Sequence, residues 1–204
     1  MAAEIPKKSI VYIVDDDQAI RHGMSLLLMS VHIDHQVFNS ADEFLELFDG
    51  NNNGCLVLDI RMPGLGGLEL QEKLIESDIA LPIIFITGHG DIPMAVEAMQ
   101  KGAFDFIQKP FRDQELLDRI GDALNTALER QSERALKHDV RTRINTLTKR
   151  EHEVLDLVVT GKPNKIIAYE LGVSQRTIEI HRARVMEKMA ARSLAELVRM
   201  HLAG

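Results

Sequence analysis

Five residues in the first half of the chain have side chains that together can hold a divalent cation and a phosphoryl group: Asp15, Asp16, Asp59, Thr87 and Lys109. Each stands at the end of a short apolar run. Val11-Tyr12-Ile13-Val14 leads into Asp15-Asp16-Asp17, and Cys55-Leu56-Val57-Leu58 into Asp59. Ile83-Ile84-Phe85-Ile86 leads into Thr87, and Phe104–Gln108 into Lys109-Pro110. Mg²⁺ takes oxygen ligands and keeps several waters, binding through one or two carboxylates plus phosphate. Asp16 and Asp59 can supply those carboxylates, with Asp15 acting through water. An aspartate carboxylate is also a nucleophile toward phosphorus, and Asp59 is the candidate because it stands alone after its run. Lys109 would neutralise phosphoryl oxygens as a point charge, and Thr87 would donate a hydrogen bond to the same group. Any one of these residues is ordinary loop chemistry. Their joint occurrence, in this order on successive apolar runs, carries the inference.

The elements that must position them follow from periodicity. The four runs, with a further one at Ile33–Phe38, alternate with stretches of helical spacing near Ala19–Ser30, Ala41–Phe48, Leu68–Ile75 and Met94–Met99, and a fifth beginning near Arg112. Five βα units predict a doubly wound, five-stranded parallel sheet of the flavodoxin-like kind, with helices on both faces. Ligands of such sheets bind beyond the carboxyl ends of the strands, where the five residues fall. Ser40-Ala41-Asp42-Glu43 reads as a capping box in which Ser40 and Glu43 satisfy each other's amides. Gly64, Gly66 and Gly67 mark a loop after the third strand.

The fifth helix has no evident stop. Leu117, Ile120, Leu124, Ala127 and Leu128 keep helical spacing, and Glu129–Arg143 is charged without Gly or Pro. The reading is an α/β domain over residues 8–125, a helical linker over 126–146 able to pair with a partner chain, and an all-α domain over 147–204. In the last, Thr148 and Glu151 form a capping box, Gly172 stops a short helix begun near Lys165, Ser174 caps Gln175–Met189, and Ser193 caps a fourth helix. Two helices joined at Leu171-Gly172-Val173 form a helix-turn-helix pattern.

Charge divides the same way. Residues 1–125 hold 9 Lys+Arg against 21 Asp+Glu, a net −12, whereas residues 126–204 carry a net +5. An acidic half suits a metal and a basic tail suits a polyanion. Aromatics are 4% and Trp is absent, which argues against a stacking platform for single strands. Cys55 is the single cysteine and reads as a core filler, so no disulfide framework exists. No apolar stretch reaches the ~18 residues needed to span a bilayer, and no signal-peptide core opens the chain. The expectation is a cytoplasmic protein without membrane contact. His32 and His35 flank a strand and form no metal set, and His89, two residues past Thr87, is expected to be a surface residue, the alternative being a place near the phosphoryl group where it would tune hydrolysis.

The stretches Val14-Asp15-Asp16-Asp17, Leu58-Asp59-Ile60-Arg61-Met62-Pro63-Gly64, Ile86-Thr87-Gly88-His89-Gly90 and Lys109-Pro110-Phe111 resemble the receiver domain of bacterial response regulators. The run through Asp91-Ile92-Pro93-Met94-Ala95-Val96 looks especially like the FixJ branch. The resemblance implies phosphorylation of Asp59 by a histidine kinase, with Mg²⁺ held by Asp16, Asp59 and the backbone carbonyl of Arg61. It also implies a cis peptide at Lys109-Pro110 and a switch in which Phe106 turns inward as Thr87 engages the phosphate. Phe106 stands where relatives often carry Tyr, so it can pack but offers no hydroxyl. The switch would reshape the fourth helix, Asp91–Lys101, where Met94, Val96 and Met99 make a surface for a homodimer formed on phosphorylation.

In the tail, Leu147–Glu151, Asn164–Ala168 and Val173–Arg182 look like the LuxR-type DNA-binding domain of the NarL/FixJ family. The second helix of a helix-turn-helix enters the major groove of double-stranded promoter DNA. Its exposed stripe is read as Arg176, Glu179, Arg182, Ala183 and Lys188, with Ile178, Val185 and Met189 facing the core. Candidate DNA-contacting residues are Lys165, Ser174, Gln175, Arg176, Thr177, Glu179, Ile180, Arg182 and Ala183, with Lys162 and Asn164 near the backbone. Glu179 and Ala183 stand where some relatives carry Lys; Glu accepts from a cytosine amino group and Ala meets a thymine methyl. The leading reading is a phosphorylation-gated transcription regulator that engages a histidine kinase, DNA and RNA polymerase, and is not an enzyme. One alternative is an aspartyl-phosphate hydrolase, which would need an acid where Arg61 stands. Another is a DNA-binding adaptor with a silent receiver.

Overall fold

The computed structural model describes residues 9–50, 53–88 and 92–203. His89 and Asp91, and with them the expected start of the fourth helix, lie outside the described residues. The chain divides into two compact units, residues 1–131 and 132–204.

The first unit holds strands β1 (Ile10–Val14), β2 (Asp34–Phe38), β3 (Gly54–Asp59), β4 (Ile83–Thr87) and β5 (Asp105–Gln108). They alternate with helices α1 (Gln18–Ser30), α2 (Ala41–Leu47), α3 (Gly67–Glu76), α4 (Ile92–Gln100) and α5 (Asp113–Asn145), the last of which begins in the first unit and ends in the second. All pairings are parallel, in the order β2-β1-β3-β4-β5. Side chains of a strand alternate between faces, and the sequence fills both with apolar groups. Val11, Ile13, Cys55, Val57, Ile84, Ile86 and Ile107 pack on one face with Met24 and Leu28 of α1 and Leu116, Ile120 and Leu124 of α5. Tyr12, Val14, Leu56, Leu58 and Phe85 pack on the other with Phe44 of α2, Leu70 and Leu74 of α3, and Ala98 of α4. Burial on both faces is why β1, β3 and β4 read as unbroken apolar runs, whereas the edge strands β2 and β5 keep exposed polar positions. The register sets Asp59 beside Ile86 and Thr87 beside Gln108, which aligns the strand ends carrying polar residues.

Ser40 caps α2, accepting the Glu43 N–H at 3.1 Å. The return bond differs from the expected box: the Glu43 carboxylate takes the N–H of Asn39 at 2.6 Å, one residue earlier. The same offset occurs at Ser193, where Glu196 receives the Arg192 N–H. Thr148 and Glu151 do form the reciprocal box.

The second unit is helical, with α6 (Lys149–Val159), α7 (Asn164–Leu171), α8 (Gln175–Lys188) and α9 (Leu194–Ala203). Gly172 ends α7 in the left-handed region at φ 66°, which permits the sharp turn into α8 without a Cβ penalty. Its core joins Val154, Leu155, Val158, Ile167, Ile178, Val185, Met189 and Leu197 with Val140, and Ile144 packs against it. Those last two belong to the final turns of α5. They lie in the stretch expected to be linker, and their i, i+4 spacing gives the charged helix an apolar seam at its end.

Candidate functional site

The ends of β1 and β3 bring together three carboxylates. Asp15, Asp16 and Asp59 each offer an oxygen, all within 4.8 Å of one another. Asp15 and Asp59 are buried and Asp16 is exposed. Lys109, just past β5, sets its Nζ 3.0 Å from Asp15 Oδ2 and 3.0 Å from Asp59 Oδ1. The Lys109-Pro110 peptide is cis.

One ammonium serves several carboxylates, and both partners feel it. Burial pushes the Asp59 carboxyl above its ordinary range; the Lys109 hydrogen bond and charge offset this only in part, and the charges of Asp15 and Asp16 push the same way. Burial also disfavours the Lys109 cation, but bonds to Asp15 and Asp59 outweigh it and hold its pKa above the usual lysine value. The site therefore lacks positive charge. Clustered oxygen donors with one exposed member are what a hydrated divalent cation needs, so the donor set fits Mg²⁺.

The rest of the Asp15 loop is tied down. Asp15 Oδ1 accepts the Asp17 N–H at 2.8 Å, and Asp17 caps α1 through the amides of Ala19 and Ile20. Arg21 of α1 donates to the Asp15 carbonyl at 2.6 Å. Behind Asp59 the start of α3 presses close. A Cβ on Gly67 would lie 2.3 Å from the Asp59 carbonyl oxygen, so this contact requires glycine. Thr87 is buried, and its hydroxyl makes a long 3.5 Å bond to the Ile107 carbonyl. Phe106 is 39% exposed.

In the helical unit, Ile178, Val185 and Met189 are buried as the periodicity predicts. The exposed side of α8 presents Gln175, Arg176, Glu179, Ile180, Ala183 and Arg184, with Ile180 48% exposed. Two cations expected on that stripe are turned aside. Lys188 binds the buried Glu151 carboxylate at 2.7 Å and the Thr146 carbonyl at 3.0 Å. Arg182 is half-buried and donates to Asn164 Oδ1 at 2.9 Å. The physical reason is position: both lie on flanks of α8 that pack against α6 and the start of α7.

Residues 11–121 match the family described as the response regulator receiver domain, and residues 145–201 match that of bacterial regulatory proteins, luxR family. The chain is a response regulator of the NarL/FixJ family. It is 47% identical over 197 residues to Nodulation protein W of Bradyrhizobium diazoefficiens, covering 97% of this chain and 87% of that protein. It is 46% identical over 194 residues to the transcriptional regulatory protein FixJ of Rhizobium meliloti, covering 95% of each. Among solved structures it is similar to the response regulator StyR, with a TM-score of 0.87 and 44% identity over 97% of this chain and all of that one. The regulator thus joins a receiver, which takes a kinase as its partner, to a DNA-binding domain. No helix among its described residues is long and apolar enough to cross a membrane.

Of the residues read from the sequence, Asp15, Asp16, Asp59 and Lys109 converge in the regulator's receiver. Thr87 lies at the end of β4, and Arg61 follows in the loop after β3. On α4, Val96 and Met99 are exposed, whereas Met94 is half-buried against its own core. Lys165, Ser174, Gln175, Arg176, Glu179, Ile180 and Ala183 are exposed; the hydroxyls of Ser174 and Thr177 bond each other at 2.8 Å. Lys162 pairs with Glu170. Cys55 is buried, and burial pushes its thiol pKa up, so it stays a neutral core group. His35 Nε2 meets Ser25 Oγ at 2.7 Å, an ordinary packing role.

Sequence reasoning missed the bracing of the C-terminal ends of α7 and α8. Arg143 donates to the Met189 carbonyl at 2.9 Å, and Arg150 to the Leu171 carbonyl at 2.5 Å. Nothing in the spacing of these cations separates them from DNA-facing ones. Only the apolar pair Val140 and Ile144 signals that α5 ends inside this core.

Proposed function

We propose that Asp59 accepts a phosphoryl group from a phosphohistidine of the partner kinase. The reading rests on one observation above all: Lys109 Nζ stands 3.0 Å from both Asp15 and Asp59 in a cluster short of positive charge. An Asp59 oxygen attacks phosphorus, the P–N bond breaks as the P–O bond forms, and the departing imidazole takes a proton. Asp16, Asp59 and the Arg61 carbonyl would hold Mg²⁺, with Asp15 acting through water; the ion would neutralise charge on the phosphoryl oxygens. Lys109 follows the transferred group as a second positive partner. The weakly held Thr87 hydroxyl reorients toward the phosphoryl oxygens, and Phe106 turns into the space released.

That shift alters the surface beside α4, where Val96 and Met99 are 48% and 38% exposed, and favours a homodimer. A twofold dimer presents two α8 helices to half-sites about one DNA turn apart. Arg176, Lys165 and the Ser174–Thr177 corner meet phosphates, Glu179 accepts from cytosine, and Ile180 and Ala183 meet thymine methyls. Bound at a promoter, the dimer engages RNA polymerase. The test is Asp59→Asn with a small acyl-phosphate donor and Mg²⁺: covalent labelling disappears. Labelling at the native level in this variant overturns the assignment.

A further inference from the structure

Asp16 is the exposed member of the acidic cluster, and no hydrogen bond holds its carboxylate among the described residues. Its placement must come from the backbone on either side. That backbone is fastened at both ends by one residue of α1. The Arg21 side chain donates to the Asp15 carbonyl at 2.6 Å, and the Arg21 main-chain N–H donates to the Asp17 carbonyl at 3.1 Å. Arg21 forms no ion pair among the described residues; its guanidinium reaches a neutral carbonyl although carboxylates stand close by. The Asp15 side chain is otherwise committed, to the Asp17 amide and to Lys109. The three-residue loop is therefore closed into a ring at Arg21, with Asp16 at its apex.

We propose that Arg21 is a positioning residue for the cation site, holding the Asp15–Asp17 backbone so that Asp16 meets the ion without rearrangement. This rests on the reading that the acidic cluster binds a divalent cation. Groups that orient metal ligands are worth roughly 10–100-fold in affinity. The proposal makes a prediction opposite in sign to simple electrostatics. Removing a cation near a Mg²⁺ site should tighten binding by relieving repulsion, whereas removing a clamp should loosen it.

The experiment is calorimetric titration of the full chain with Mg²⁺, comparing native protein, Arg21→Met and Arg21→Lys. Met keeps most of the length and loses both charge and donors; Lys keeps the charge and a donor. The expected result is binding about tenfold weaker for Arg21→Met and within about threefold of native for Arg21→Lys. Acyl-phosphate labelling should split accordingly: half-saturating Mg²⁺ rises in Arg21→Met, while the rate at saturating Mg²⁺ stays near native. Native or tighter binding in Arg21→Met overturns the proposal, as does a labelling rate that Mg²⁺ does not restore. If Arg21→Met fails to fold by circular dichroism, Arg21→Gln replaces it with the same readings. Absence of Mg²⁺ binding by the native chain refutes the underlying cation site instead, and is a separate outcome.

Discussion

The two units handle charge in opposite ways. In the receiver, carboxylates from two strand ends converge with one ammonium to answer them, and burial, with the charges of Asp15 and Asp16 adding to it, holds Asp59 above its ordinary pKa despite Lys109. In the helical unit, cations are matched. Lys188 answers Glu151, Arg143 and Arg150 cap helix ends, and Lys162 answers Glu170. The net −12 and +5 of the two halves therefore mean different things. A small part of the acidic excess, the three carboxylates around Lys109, is focused on a site. Part of the basic excess is spent on the fold, and only the remainder faces outward. Unpaired charge is what is left to do work on a ligand.

The comparison is sharpest at Asp59. A raised carboxyl pKa means that the nucleophilic carboxylate is depleted as pH falls, starting above the range of an ordinary aspartate. Labelling from a small acyl phosphate should therefore disappear on acidification, and higher Mg²⁺ should move the loss to lower pH by favouring the anion. A pH profile at two Mg²⁺ concentrations measures this. A profile that Mg²⁺ leaves unmoved would mean the cluster is not short of positive charge.

Glu151 is the opposite case. Its bonds to Lys188 and to the Thr148 amide lower its pKa to about 2. A depressed carboxyl pKa contributes stability that is complete above the ordinary glutamate range and is lost as pH falls through it toward about 2. Replacement by Gln should cost on the order of 2 kcal/mol at neutral pH. It should also flatten the acid limb of the stability curve, measured by urea unfolding of the helical unit. Equal acid sensitivity in the Gln variant would show that the pair does not carry that limb.

Smaller effects separate outward from inward cations. Arg176→Ala should lower the salt slope of DNA binding by about one unit, as expected for one lost phosphate contact. Arg182→Ala should lower thermal stability while leaving that slope unchanged, because its guanidinium is held by Asn164. If the two variants change the slope alike, Arg182 leaves Asn164 on DNA and the distinction fails.

The smallest effect lies between charges. Replacing thymine by uracil within a half-site should weaken binding by a few-fold, on the order of 1 kcal/mol or less for one methyl. The loss should vanish in Ile180→Ala if Ile180 meets that methyl. A uracil penalty that persists in the variant would assign the methyl to another residue.

The receiver was largely legible in the sequence because its three central strands are doubly buried and its chemistry sits at strand ends. An apolar run followed by Asp, Thr or Lys locates both element and function. The helical unit was legible in its turns and caps, through Thr148, Gly172 and Ser174, but less so in its cations. A helix surface exposes side chains through most of its circumference. Lys188 and Arg182 differ from Arg176 only by angles that depend on where α6 and α7 pack. The offset capping bonds at Asn39 and Arg192 show the same limit on a smaller scale, since residue types name the partners and geometry picks the amide.

The last turns of α5 bear on how this chain can be cut. A fragment begun at Leu147, the first residue of the apparent helix-turn-helix module, would lack Val140 and Ile144 from its core. It would also lose the Arg143 guanidinium from the Met189 carbonyl and the Thr146 carbonyl from Lys188. A fragment begun at Ser132 retains all four. Dissected the first way, the module would be handicapped by its own boundary, and a weak interaction with DNA would say nothing about its intrinsic affinity.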